Sequence, residues 1–207
     1  MAGVNPGWRD GFLFVGNHLA LDFVNTRPVM NGQPVELLSD WNALLRWFRA
    51  AELVSEKEMR TFVRQWKKRP EPEGCLEALK TFRESVRATV LRLEAGEEPA
   101  SRTVAELNRL LRAHPMILEL RRAAGKLERR KLFELRRPDD LFAPLVDAAT
   151  EMLSDLEPAR LRKCESCILH FYDTSKNGTR RWCSMQICGN RSKVAAYAER
   201  KRHTNKQ

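Results

Sequence analysis

The sequence contains no apolar run approaching the roughly 18–20 residues that cross a bilayer. Its first residues, MAGVNPGWRDGF, lack a basic segment followed by an apolar one, so no secretory signal is expected there. A nucleophile elbow, a glycine-rich phosphate loop and a His-Glu-x-x-His pair are also missing, as are internal repeats and low-complexity tracts. A membrane span is thereby excluded, and the expectation is a cytoplasmic protein that is not an enzyme. In a reducing compartment, five cysteines point to metal binding or chemistry before disulfides.

What is present divides unevenly. The chain has 207 residues, 43% of them hydrophobic, enough for one ordinary domain plus a smaller module or for a single larger domain. Its net charge is +10, from 37 Lys and Arg against 27 Asp and Glu. Residues 1–156 hold only +2 of this and residues 157–207 hold +8, together with four of the five cysteines. The expected division is a nearly balanced body, 1–157, and a basic cysteine module, 158–207. Only the module has the bulk charge to attract a polyanion.

The body reads as mostly helical. Phe12–Val15 suggests a short strand and His18–Asn25 a helix, with a loop around Asn31-Gly32. Ser39 or Asp40 caps a helix to about Ala51. Ser55 and Glu58 form a capping box for a helix carrying Met59, Phe62, Val63 and Trp66, ended by Pro70 and Pro72. The most regular helix runs from about Pro72 to Glu94, with Leu76, Leu79, Phe82, Val86, Val90 and Leu93 on one face and Cys75 as a core residue. Ser101 or Thr103 caps the next. Residues 116–136 favour a hairpin turning at Ala124-Gly125, and Asp139 or Asp140 caps a last helix ending near Pro158. His18, Asp22 and Asn25 share a face if all three are helical, and with Arg27 they form a candidate small-molecule pocket. The competing reading is that they cap and brace the helix end.

The tail carries Cys164-Glu-Ser-Cys167 and, fifteen residues on, Cys183-Ser-Met-Gln-Ile-Cys188. Two close pairs at this separation suit one zinc ion, because each pair can turn both sulfurs onto it and the chain between can fold back. Leu169–Tyr172 and Thr179–Trp182 are expected to be the two strands of that return, turning at Asn177-Gly178. Gly189 then allows a sharp turn into a basic helix, Asn190 to Lys201. Knuckle, hairpin and helix make a treble-clef-like finger, and the fold class is mainly α (α+β). Such a module has too little core to fold alone, and a structural Zn2+ supplies the deficit. Four thiolates close the shell and leave no water to activate. His170 and His203 remain possible substitute ligands, and a redox iron centre is the less favoured cation.

Arg180, Arg181, Arg191 and Lys193 are the candidate contacts to phosphates or base edges, with Asn190 beside them or bracing the zinc loop. Arg200, Lys201 and Arg202 extend the same element. Some of these cations could instead offset the roughly two negative charges of a four-thiolate zinc centre. Trp182 and Phe171 read as the mini-core of the knuckle.

The run from Leu161 to Arg202 resembles the CGNR zinc-finger family, through Asp173-Thr174-Ser175, Arg180-Arg181-Trp182-Cys183-Ser184-Met185 and Cys188-Gly189-Asn190-Arg191. The two-residue spacer of the first cysteine pair is shorter than that family often has, with the ligand count intact. Phe14-Val15-Gly16-Asn17 and Leu21-Asp22-Phe23-Val24-Asn25-Thr26 are similar to the ABATE domain that usually precedes this finger. The resemblance implies a bacterial, stress-linked transcription regulator that binds DNA through the finger, its body sensing an effector or mediating homodimerisation. It names neither the effector nor the operator, and analogy at the level of fold does not establish function. The alternatives are a zinc-stabilised protein-interaction module and, third, an enzyme built on the His18–Asp22–Asn25 face.

Overall fold

The computed structural model describes residues 7–30, 32–66 and 72–204. Pro70, which was expected to end a helix, lies outside them, as does Asn31. The architecture is mainly α with small antiparallel hairpins. No helix among the described residues is long and apolar enough to cross a membrane.

The first helix, α1 (Leu19–Val24), has only six residues, and four of them, Ala20, Leu21, Phe23 and Val24, are buried. It follows a two-residue-strand hairpin, β1 (Trp8–Arg9) with β2 (Phe12–Leu13). The strand expected over Phe12–Val15 is thus only Phe12–Leu13. A second minimal hairpin, β3 (Val29–Met30) with β4 (Gln33–Pro34), leads into α2 (Trp41–Ala50). Of the two candidate caps for α2, Asp40 is the one used: its carboxylate accepts from Ala43 N at 2.8 Å. Helix α3 (Glu56–Trp66) opens on the expected capping box, with Ser55 N donating to Glu58 Oε2 at 2.7 Å and Glu58 N to Ser55 Oγ at 3.2 Å.

The long helix α4 (Pro72–Glu94) presents its whole predicted stripe, Leu76 to Leu93, to the core, with Cys75 buried beside it. Burial pushes the Cys75 thiol up to about 12, so it stays protonated. Arg83 of α4 is also buried. Its guanidinium grips both carboxylate oxygens of Glu36 and donates to Thr26 Oγ1 at 2.9 Å. Arg87, one turn on, donates to Val24 O at 2.5 Å, which satisfies a carbonyl left over at the end of α1. The polar run after α1 is therefore tied down by α4.

Helix α5 (Ser101–Ala113) begins at Ser101 itself. Its N-cap is Ala100, with no side-chain hydrogen bond, so neither Ser101 nor Thr103 caps it. Then comes the hairpin of β5 (Ile117–Ala123) and β6 (Lys126–Leu132), turning at Ala124-Gly125 as expected. Asp140 accepts from Arg136 N and Arg137 N, anchoring a 3-10 turn (Pro138–Leu141) rather than capping the helix behind it, α6 (Phe142–Ser154).

Candidate metal centre and the basic helix beside it

The finger begins with β7 (Leu161–Lys163), paired with β8 (His170–Tyr172). This corrects the expected hairpin: β8 is one strand, but its partner precedes the first cysteine pair, and Thr179–Trp182 forms no strand. The first pair therefore sits in the tip of the hairpin. Cys164 N donates to Leu169 O at 2.8 Å and Ile168 N to Cys164 O at 3.0 Å, closing the knuckle. Residue 168 takes a left-handed φ of 57°, which turns the chain there.

The return segment is shaped by Asp173, whose carboxylate accepts from Ser175 N at 2.9 Å and Arg180 N at 2.8 Å. Gly178 supplies a φ of 61°. Arg181 O then accepts from Glu165 N, which lays this segment against the knuckle. Cys183 precedes and Cys188 lies within a single π-helical turn (Met185–Gly189), which runs without a break into α7 (Asn190–Thr204). Gly189 makes no sharp turn. A Cβ there would meet Met185 Sδ at 2.9 Å, so a larger residue would displace the end of that exposed side chain.

The four sulfurs of Cys164, Cys167, Cys183 and Cys188 lie within 4.8 Å of one another. Cys167 and Cys183 are 3.5 Å apart, and Cys183 and Cys188 are 3.7 Å apart. A disulfide needs about 2.05 Å, whereas four thiolates at about 2.3 Å from one tetrahedral ion stand about 3.8 Å from each other. The donor set thus fits one structural Zn2+ and leaves no position for a reacting ligand. Crowded together, the thiols pull one another apart in acidity: Cys164 is drawn far below the ordinary thiol range, first by its hydrogen bond with Cys167. A cation among them would stabilise the thiolate form of all four.

The cluster is not closed by the finger alone. Cys164, Cys183 and Cys188 are buried with Leu169 and Phe171, and Val15 of the body completes the group, flanked by Leu13, Trp182 and Ile187. Behind it, the Asn25 amide bridges the backbone of His170, donating to its carbonyl at 2.8 Å and accepting from its N–H at 3.0 Å. His170 Nδ1 lies 2.8 Å from Glu94 Oε1 and is turned toward α4, not toward the sulfurs. Tyr172 N donates to Gly16 O, and Asn17 Nδ2 to Tyr172 O. The His203 side chain lies outside the described residues.

The candidate pocket residues are distributed over both ends of α1. His18 is not on the helix: it is the N-cap, with φ −159° and ψ 139°, and its Nδ1 accepts from Ala20 N. Asp22 Oδ1 accepts from Gly16 N at 2.8 Å. Asn25 is the C-cap and faces the finger, and Arg27 pairs with Glu84 at 3.6 Å. Burial pushes the Asp22 carboxyl up to about 6, against the hydrogen bonds from Gly16 and Val15. A raised acid penalises the folded state once it must ionise, so this penalty is absent near pH 4 and complete above about pH 7. The shift corresponds to roughly 3 kcal/mol at 1.36 kcal/mol per pKa unit. Asp22→Asn should therefore be more stable than the parent at pH 7.5, by up to about 3 kcal/mol, with the gain shrinking toward pH 4 in parallel denaturant melts.

The candidate nucleic-acid residues fall into two groups. Arg180 Nη2 donates to Cys183 O at 2.6 Å and its guanidinium lies 5.1 Å from the Phe171 ring centroid, so it braces the finger. Arg181 chelates Glu165 from a largely exposed position and stacks on Trp182. Asn190 reaches Gln186 O at 3.4 Å. Arg191 and Lys193, by contrast, are exposed on the first turn of α7. Val194 and Tyr197 are 68% and 61% exposed, and Lys201 is exposed one turn further. At 100° per residue, Val194, Tyr197 and Lys201 lie within about 60° of one another, with Lys193 next to Tyr197. The side chains of Arg200 and Arg202 lie outside the described residues. Sequence reasoning missed Val15, Glu94 and the Asn25–His170 clamp, since contacts between residues 76 to 173 positions apart leave no local pattern.

No curated protein matches the sequence. The CGNR zinc-finger family model matches residues 160–201. The ABATE family model, described as "Putative stress-induced transcription regulator", matches residues 17–156. Both families are of regulator and zinc-finger type. As the ABATE match spans more than half of the sequence, the chain belongs to the ABATE family, with a CGNR zinc finger following the ABATE region.

Proposed function

We propose that this protein is a transcription regulator that binds duplex DNA through its finger, with Cys164, Cys167, Cys183 and Cys188 as the ligands of one zinc ion. The observation that carries the reading is α7. It springs directly from a metal-ligand turn and exposes Arg191, Lys193 and Lys201, the last two flanking Tyr197. A cationic helix of this width suits the major groove, and its first turn is rigidly placed by Cys188. Arg181 serves as a further phosphate contact once it leaves Glu165, because an exposed ion pair is worth only about 0–1 kcal/mol. The regulatory half of the proposal is that the body reads a small-molecule effector. It draws support from a cavity of about 450 Å³ lined by His114, Ile117, Arg136, Arg137 and Asp140, where His114 Nδ1 is buried without a partner.

The exposed Val194 and Tyr197 favour a second reading, a protein-interaction helix held by zinc. Fluorescence anisotropy with a random-sequence duplex separates the two. Arg191→Ala with Lys193→Ala should weaken binding about tenfold or more and lower the salt slope by about 2, with zinc content unchanged. An unchanged slope would show that α7 is not the contact, and no salt-dependent binding by the parent would favour the protein-interaction reading. Arg180→Ala should instead lower the finger's stability.

A further inference from the structure

The β5–β6 hairpin is the least covered element of the body. Six of seven residues in each strand are exposed, and the two strands form a sheet by themselves. A lone two-stranded hairpin is marginal in water, and its unpaired edges invite another strand. Leu118, Leu120 and Leu127 are 59–67% exposed. All three point to one face, because Leu118 and Leu120 alternate along β5 and Arg122 of that row is registered with Leu127.

The turn fixes which backbone groups are free. Ala124 and Gly125 both have positive φ, 48° and 80°, as in a type I′ turn. In such a two-residue hairpin Ala123 and Lys126 are the closing hydrogen-bonded pair. The ladder alternates from there, so Leu118, Leu120 and Arg122 direct N–H and C=O away from β6.

We propose that β5 pairs antiparallel with β5 of a second copy of this chain, about a two-fold axis at Leu120, giving a continuous four-stranded sheet. The charges select this register. Leu120 lies opposite the partner's Leu120, and Glu119 lies opposite the partner's Arg121, twice by symmetry. The other edge offers the same pairing, Glu128 opposite the partner's Arg130, at a higher cost. An axis at Arg129 of β6 opposes two arginines. Strand β6 carries a net charge of +3 against +1 for β5, and Lys131 is already held by Asp147 and Glu151 of α6. Joining the two copies along β5 gathers Leu118 and Leu120 of both into one apolar strip. The same arrangement places two fingers in one particle, related by two-fold symmetry.

Sedimentation equilibrium on the zinc-loaded full chain tests this with edge substitutions. Leu120→Pro removes an outward N–H and no bond within the hairpin, and should raise the dimer dissociation constant at least tenfold. Leu120→Thr, which keeps that N–H, and Arg129→Pro, the equivalent change on the β6 edge, should leave the dimer in place. A second measurement is independent of these changes. The Glu119→Cys and Arg121→Cys variants, mixed and mildly oxidised, should cross-link in the mixture and not separately, as a non-hydrogen-bonded cross-strand pair allows. The proposal is overturned by a monomeric parent at all concentrations, by a dimer that survives Leu120→Pro, or by cross-linking as strong in either variant alone. Loss of duplex binding by Leu120→Pro with no change in mass would assign the hairpin to the polyanion and overturn it equally.

Discussion

Chelation of zinc should unfold residues 161–204 and leave the body folded. The finger has one three-pair hairpin, one turn fixed by Asp173 and a helix whose Arg191, Lys193, Val194 and Tyr197 are exposed. Among the described residues, Leu169 and Phe171 are the finger's buried apolar side chains on the sulfurs, with Trp182 and Ile187 partly buried beside them, while Leu161 joins the body's core. That is far too little buried surface to offset the ordering of some forty residues, at about 1–2 kcal/mol each for the backbone alone. A structural zinc supplies on the order of 10 kcal/mol or more. Hydrogen exchange before and after chelation should show protection lost across β7, β8 and α7 and retained in α4 and α6. The segment around Leu13 and Val15 should lose protection with the finger, because Val15 packs on the sulfurs. Cys183→Ser should reproduce the effect and reduce bound zinc below one ion per chain. Retained protection of β8 in metal-free protein would show that the body, not the ion, orders the finger.

Asn25→Ala should cost about 2–5 kcal/mol while leaving the zinc in place. The Asn25 amide is 1% exposed and makes two hydrogen bonds to the His170 backbone. Truncation leaves a buried N–H and a buried C=O unpaired, at about 1–3 kcal/mol each. The penalty falls on the contact between finger and body, so the expected result is a loosened finger that still holds one zinc ion. Asn25→Asp should be no better, since a carboxylate can accept from His170 N but repels His170 O, and it adds a charge to a site that already contains Glu94. Denaturant melts read the stability and a colorimetric zinc assay the metal content. A cost below about 0.5 kcal/mol would mean that the bridge is not what joins the two parts.

Local chemistry made much of this fold readable. The capping box at Ser55 and Glu58, the 3.6-residue stripe of α4 and the turn at Ala124-Gly125 each depend on residues a few positions apart, and each forms as expected. The four cysteines were legible for the same reason. Pairing partners were not. Thr179–Trp182 has the composition of a strand, but β8 takes Leu161–Lys163, because the return segment is already committed to Asp173 and to Glu165 N. Ser101 looks like a cap, but the helix begins on it. Likewise, Arg180 and Arg181 look like free cations in the sequence, whereas Cys183 O and Glu165 occupy them in the fold. His18, Asp22 and Asn25 are spaced to share a helical face, but His18 and Asn25 are the caps at the two ends of α1 and only Asp22 lies within it.

In the function proposed above, a metal-ordered helix, not bulk positive charge, holds the polyanion. The most direct measurement is the affinity of one duplex for the zinc-loaded and the chelated protein across a series of salt concentrations. Tight, steeply salt-dependent binding is expected with zinc, and a large fall in both affinity and slope without it. Equal affinity and equal slope in the two states would contradict that function.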